Sequence, residues 1–277
     1  MIEKRNKNWQ ILLALIAITG FSFVGSVNAE DTDFSYNGDT GPGYWYELNP
    51  EWEACAGTAP DARQSPIDIA EVEIDWRLRP LDLEILPTTI DLFNNGHTIE
   101  QHYEDTGSSI SFKGRIYDLL QFHFHTLSEH AIGGELGDME LHAVFWEPSG
   151  GDYLVVGQLF KVSEEGNPFI QELIDAGLPP KNGDTTVTND VINVADVFTN
   201  TSSYYTYQGS FTTPPCSEIV TWVVLQNPAE ITEEQFQAFR RILGNDFRPL
   251  QELNDRVVRA TRDVTVQPPS YNLGTSN

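Results

Sequence analysis

The sequence predicts a mainly β protein of the α+β type that folds as a single domain. Short runs of apolar or alternating residues recur along the chain, separated by turn residues, which is typical of strands. Only two segments have the periodicity of helices. A length of 277 residues suits one large domain, and we find no internal repeat or low-complexity linker that would divide it.

The predicted strands are marked by period-two alternation or by continuous apolar character. The clearest runs are Leu81 to Leu86, Thr98 to Tyr103, Ser109 to Phe112, Leu119 to Leu127, Glu140 to Trp146, Tyr153 to Val162 and Ile219 to Leu225.

Two segments are predicted to be peripheral helices. The first covers Ile170 to Ala176 and is short. The second covers Thr232 to Leu243, with Thr232 as N-cap, Gln235 as its partner in a capping box and Gly244 as the stop.

The N-terminus is predicted to carry a signal peptide over residues 1–29. Basic residues are followed by a mostly apolar run from Ile11 to Val24, and Val27-Asn28-Ala29 has the pattern of a cleavage site. An uncleaved anchor is the alternative, but about 14 residues are fewer than the roughly 20 that span a bilayer. We therefore expect export to the periplasm or the cell exterior, without membrane anchoring after the signal is removed.

Two further terminal segments are predicted outside the folded domain. Residues 30–43 are polar and are expected to be flexible, and residues 263–277, which contain Pro-Pro, Ser, Asn and Gly, are expected to form a C-terminal tail.

The net charge is −25, and it becomes −27 when residues 1–29, with three basic residues and one acidic residue, are removed. Such a charge argues against nucleic acid or anionic lipid as a partner. Adaptation to a saline exterior is one hypothesis, because salt screens the self-repulsion of the chain. An ordinary acidic secreted protein is the alternative.

The oligomeric state stays open, with a homodimer as one possibility.

Cys55 and Cys216 are the only two cysteines of the chain. In an oxidising compartment, two cysteines in one exported domain favour one disulfide. Two separate buried thiols are the alternative.

Three histidines are candidate metal ligands. In a strand, His123 and His125 lie on the same face, and His142 lies in a second predicted strand that can pair with the first. Three imidazoles that leave a fourth position open are typical of a catalytic zinc site. An isolated H-x-H pair more often consists of surface or core histidines that bind no metal than of metal ligands. Here Gln121 and Glu140 each lie two residues before a histidine, on its face, and can accept its second ring N–H.

The chain resembles the α-class carbonic anhydrases, and in particular their exported bacterial members. The matching segments are Gln64-Ser65-Pro66-Ile67-Asp68-Ile69, Asn94-Asn95-Gly96-His97, Gln121-Phe122-His123-Phe124-His125, Ser128-Glu129-His130, Glu140-Leu141-His142 and the ten residues from Gly209 to Glu218. The resemblance implies a domain over residues 44–262 with a central mixed, mostly antiparallel sheet of about ten strands. It also implies a disulfide between Cys55 and Cys216.

The resemblance implies an enzyme, a zinc lyase that reversibly hydrates carbon dioxide to bicarbonate and a proton through attack of zinc-bound hydroxide. Zn²⁺ is the expected cofactor. Thr212 would orient the nucleophile through Glu129, and His97 would carry protons to the solvent. The residues expected to line the substrate pocket are Val144, Val155, Phe211, Thr213, Val220 and Trp222.

The sequence departs from the family pattern in three places. Thr126 follows the second histidine, where animal relatives have tryptophan. The aromatic W-x-Y pattern near the start is assigned to Trp45-Tyr46-Glu47, which is one residue short. The N-x-R-P pattern is Asp246-Phe247-Arg248-Pro249, so the backbone carbonyl of Asp246 is expected to accept from His125.

Three other functions are compatible with parts of this pattern. A catalytically inactive binding module on the same fold is disfavoured because all three candidate ligands are present. A zinc-dependent ester hydrolase is a second alternative, since zinc chemistry serves other carbonyl compounds. A serine hydrolase is disfavoured because no G-x-S-x-G segment occurs.

Overall fold

A computed structural model describes residues 33–103 and 106–262 of the chain. The predicted signal peptide and C-terminal tail lie outside these residues, and their boundaries stay predictions. Of the helices in the described part, none is both long and apolar enough to cross a membrane.

The described residues form sixteen strands and three α-helices, together with 3-10 turns at Gly38–Thr40, Pro50–Ala56 and Val194–Val197. The helices are α1 (Trp45–Leu48), α2 (Pro168–Ala176) and α3 (Glu233–Leu243). The strands are β1 (Asp68–Ile69), β2 (Glu73–Ile74), β3 (Asp82–Glu84), β4 (Thr88–Asn94), β5 (Ile99–His102), β6 (Ser109–Phe112), β7 (Arg115–His125), β8 (Ala131–Ile132), β9 (Glu135–Leu136), β10 (Met139–Trp146), β11 (Tyr153–Val162), β12 (Thr185–Ile192), β13 (Tyr204–Gly209), β14 (Val220–Leu225), β15 (Ala229–Ile231) and β16 (Arg259–Ala260).

One large sheet dominates the described part of the chain. Ten strands follow one another in the order β12-β4-β5-β7-β10-β11-β14-β13-β16-β2, and β3, β6 and β15 pair beside this path. Most pairs are antiparallel, whereas β11 pairs parallel with both β14 and β15, and β16 pairs parallel with β2. The predicted mainly β fold with a mixed, mostly antiparallel sheet is therefore confirmed.

The helix predictions omit the four-residue α1 and place the start of α2 too late. Helix α2 begins at Pro168, two residues before the predicted start, because Asn167 caps it by accepting from the backbone N–H of Ile170. Helix α3 has the predicted capping box between Thr232 and Gln235.

Alternation along β7 separates the two faces of the sheet. Phe122 and Phe124 point into the larger apolar core, where Phe124 packs against Phe239 of α3 with ring centroids 4.6 Å apart. The residues between and after them, His123 and His125, point to the opposite face. The strand therefore places one face in the core and offers the other to a polar site.

The packed domain extends to the N-terminal side of Tyr44, the predicted first residue. Phe34 of the segment predicted to be flexible makes edge contacts with Trp45 and Trp52, at centroid distances of 5.3 and 6.1 Å. These rings surround the disulfide between Cys55 and Cys216. The aromatic cluster thus ties the first described residues to the rest of the domain.

Candidate active site

Three histidines meet on neighbouring strands. The antiparallel register of β7 and β10 pairs His142 with His123 and Glu140 with His125. The ring centroids are 5.1 Å apart for His123 and His125, 5.3 Å for His123 and His142, and 4.7 Å for His125 and His142. The alternation predicted from the sequence thus brings the three rings together.

One nitrogen of each ring is used by the protein. His123 Nδ1 donates to Gln121 Oε1 at 2.8 Å, and His142 Nε2 donates to Glu140 Oε1 at 2.9 Å. His125 Nδ1 donates to the main-chain oxygen of Asp246 at 2.7 Å. In a neutral imidazole the other nitrogen is then a bare acceptor, so these contacts leave His123 Nε2, His125 Nε2 and His142 Nδ1 for another partner.

The three histidines fit a metal ion. Each offers one ligand atom, and these atoms lie within 4.8 Å of one another. His125 Nε2 is buried and has no hydrogen-bond partner among the described residues. Burial lowers the pKa of His142 to about 4 and holds the pKa of His123 well below its usual value, which favours the neutral ring that binds metals.

Glu140 is the hub of the hydrogen bonds behind this cluster. Oε1 accepts from His142 and from His130 Nδ1 at 2.8 Å, and Oε2 accepts from the backbone N–H groups of Glu129 and His130. Burial opposes ionisation of Glu140, but the interactions with His130 and His142 outweigh it and hold the pKa well below its usual value. A Cβ atom at Gly157 would lie 2.8 Å from Oε1, so the neighbouring strand needs glycine there.

His130 is a second histidine that binds Glu140, but both of its ring nitrogens already have hydrogen-bond partners. Its Nε2 lies 2.7 Å from the hydroxyl oxygen of Tyr207, and its Nδ1 donates to Glu140. Neither nitrogen is left for a metal, so His130 supports the site through Glu140.

Glu129 lies at the inner edge of the histidine cluster. Its Oε1 accepts from the backbone N–H of Arg248 at 2.7 Å, and its Oε2 is 3.6 Å from His125 Nε2 and 3.9 Å from His142 Nδ1. Burial raises the pKa of Glu129 to about 8, while the Arg248 amide and the Thr212 side chain lower it. Thr212 is therefore beside Glu129, as the sequence predicts.

An apolar wall adjoins the histidines. Val144, Val155, Val220 and Trp222 belong to one buried cluster, and Phe211 packs against it. The ring of Trp222 lies 4.8 Å from that of His142. Thr213 does not belong to this cluster; its carbonyl accepts from the backbone N–H of Cys216.

His97 lies at the tip of a turn. Asn95 Oδ1 accepts from the backbone N–H of His97, and Gly96 adopts φ +87°. The imidazole stacks on Phe34 with centroids 3.9 Å apart and planes 5° from parallel, and its Nε2 is 3.9 Å from Asp33 Oδ1. Burial lowers the pKa of His97, and the charge of Asp33 opposes this effect.

The disulfide between Cys55 and Cys216 is present and anchors the loop that carries Thr212. Gln64 Nε2 donates to the carbonyl of Cys216 at 3.1 Å, and Arg248 Nη2 donates to that of Cys55 at 2.9 Å. Both ends of the bridge are thus held by buried polar side chains.

Tyr46, which is one residue short of the W-x-Y pattern, does not take part in the site. Tyr46 is 40% exposed, and its hydroxyl donates to Glu47. Tyr36 holds the inward position instead: burial and the negative charges of Glu129 and Asp246 raise its pKa well above the usual value. The aromatic-x-aromatic spacing of Phe34-Ser35-Tyr36 was the signal that the sequence offered.

Residues 41–262 match the profile of the family described as eukaryotic-type carbonic anhydrase. The chain belongs to this family. It is 35% identical to a carbonic anhydrase of Nostoc sp. over 88% of this chain and 93% of the relative, and 32% identical to one of Neisseria gonorrhoeae with the same coverage. Its fold is similar to that of the α-carbonic anhydrase of Thermovibrio ammonificans solved with the inhibitor sulfanilamide. That comparison has a TM-score of 0.76 and 34% identity, and covers 82% of this chain and 99% of that one.

Proposed function

We propose that His123, His125 and His142 hold the zinc ion with which this carbonic anhydrase interconverts carbon dioxide and bicarbonate. The observation that carries the proposal is the set of three unused ring nitrogens within 4.8 Å of one another, each fixed by a hydrogen bond on the far side of its ring. Zinc bound there would act as a Lewis acid that makes hydroxide available near neutral pH, and carbonic anhydrases are the reference example of this effect.

Glu129 and Thr212 are proposed to orient the attacking oxygen. A cation beside Glu129 favours the ionised carboxylate, which opposes the effect of burial on its pKa. An ionised Glu129 accepts a hydrogen bond from the Thr212 hydroxyl. The Thr212 oxygen can then accept a hydrogen bond from the nucleophile. This fixes the direction of the nucleophile's lone pair, and orientation of this kind contributes to the rate.

The apolar wall is proposed to hold carbon dioxide. The substrate is uncharged and a weak hydrogen-bond acceptor, so a surface formed by Val144, Val220 and Trp222 suits it better than a polar one. Val155 and Phe211 complete the wall, and Thr213 stays a predicted lining residue.

His97 is proposed to move protons between the site and the solvent. It is partly exposed, with 26% of its side chain accessible, and an imidazole is the side chain whose ordinary pKa lies closest to neutrality. Burial lowers the pKa of His97, and the charge of Asp33 limits this shift. Its position on Phe34 places an ionisable group outside the buried histidine cluster, where it can exchange protons with buffer.

Purified protein tests this proposal directly. We expect one zinc per chain and carbon dioxide hydration that is abolished by a chelator and restored by zinc. His142→Ala should lose both, because it removes one of three ligands. Stoichiometric zinc without hydration, but with ester hydrolysis, would favour the ester hydrolase instead. Protein without stoichiometric metal would contradict the proposed site.

Export is proposed from the predicted signal peptide, and the disulfide supports it, since such bonds persist mainly in oxidising compartments. Mass spectrometry of protein from the periplasm or medium should find a chain starting at Glu30. A cytoplasmic chain that retains residues 1–29 would contradict export.

A further inference from the structure

Asp246 has a buried carboxyl group that the proposed function does not use, and burial raises its pKa to about 7. Its side chain is 2% exposed. Three buried side-chain atoms of the described residues lack a hydrogen-bond partner: His125 Nε2, Glu129 Oε2 and Asp246 Oδ2. The first is a proposed metal ligand, and the second faces two ligand nitrogens. Neither reason applies to Asp246 Oδ2.

Asp246 contacts the ligand His125 through both its main chain and its side chain. The main-chain oxygen accepts from His125 Nδ1 at 2.7 Å, and Oδ2 lies 3.9 Å from the same nitrogen. Oδ1 accepts from the backbone N–H of Thr126 at 2.7 Å and lies 3.2 Å from its hydroxyl, which donates to the carbonyl of Gly244 at 2.6 Å. Oδ1 alone therefore holds the backbone of Thr126 in place.

An asparagine would make the same hydrogen bonds without the charge. The amide oxygen accepts as Oδ1 does. A buried carboxylate with one unpaired oxygen is costly unless an opposite charge lies near. The nearby Glu129 and Tyr36 provide no positive charge, and the guanidinium of Arg240 donates to the carbonyl of Thr126. A cation bound by His125 would provide it.

We propose that Asp246 is a positioning residue that strengthens metal binding through His125. Its carboxylate polarises the imidazole whose Nδ1 donates to the Asp246 main chain, and this makes Nε2 a more basic ligand. Its negative charge also lies on the side of the ring opposite the cation. The inference rests on the proposed zinc site.

Asp246→Asn is the decisive variant. Zinc affinity is measured by competition with a chromogenic chelator, and thermal unfolding is measured on chelator-treated protein. We expect zinc to bind about tenfold more weakly, the lower end of the tenfold to hundredfold loss typical for groups behind a metal ligand. The melting temperature without zinc should not fall, because Oδ2 has no hydrogen bond to lose and the amide oxygen of asparagine still accepts from the backbone N–H of Thr126. Asp118→Asn, an exposed carboxylate on the strand of two ligands, is the matched control and should change neither value.

The two measurements separate the proposal from a structural role. A structural role predicts that stability without zinc falls together with zinc affinity, and this outcome would overturn the proposal, as would unchanged or tighter zinc binding. If Asp246→Asn does not fold, Asp246→Ser removes the same charge and must show the same weakening. Wild-type protein that binds no zinc at the histidines would overturn the proposed function as well, whereas equal binding by wild type and variant would overturn this inference alone.

Discussion

Replacement of Glu140 by glutamine tests the hydrogen-bond hub behind the histidines. The carboxylate is fully buried and accepts four hydrogen bonds of 2.8 to 2.9 Å. Glutamine keeps one oxygen and replaces the other by an NH2 group. With the tautomers that His130 and His142 have here, two of the four donors face another donor in either orientation of the amide.

The magnitude follows from the number of bonds lost. A hydrogen bond to a buried charged group contributes about 1.5–3 kcal/mol, so two lost bonds correspond to about 3–6 kcal/mol of unfolding free energy. Urea unfolding in the presence of a chelator measures this without any contribution from metal. Asp118→Asn, which removes an exposed carboxylate, should stay within about 0.5 kcal/mol of wild type. A Glu140→Gln protein within about 1 kcal/mol of wild type would refute the assignment of Glu140 as the hub.

Three further predictions concern the rest of the domain. His97→Ala should lower turnover in weak buffer, and added imidazole should restore it; equal turnover without rescue would count against the proton-transfer role. Arg77 binds Asp75 through two hydrogen bonds and lowers its pKa to about 2. This contribution to stability is therefore present above the unfolded pKa of about 3.9 and is lost as the pH falls towards 2. The urea midpoints of Arg77→Ala and wild type should thus differ most above pH 4 and converge in acid. Removal of salt should lower the melting temperature, because the charge of −25 is then unscreened; full activity and an unchanged melting temperature would contradict salt adaptation.

The sequence alone determined much of this protein because its signals are local. Alternation in β7 fixes which face each histidine occupies, and the capping box of Thr232 fixes the start of α3. The resemblance also predicted the disulfide between Cys55 and Cys216, which the structure contains. Periodicity and capping depend on neighbours within a few residues, so they can be read without knowledge of the fold.

Only the tertiary structure decided which distant groups meet. The sequence placed the N-terminal aromatic pattern at Trp45-Tyr46-Glu47, one residue short, and left the role of Tyr46 open. Packing around the disulfide partly buries Tyr36 and leaves Tyr46 exposed. The unpaired oxygen of Asp246 beside His125 and the four donors on Glu140 are likewise consequences of chain segments meeting far from each other in sequence. Burial and pairing depend on all the elements around a side chain, and no local pattern encodes them.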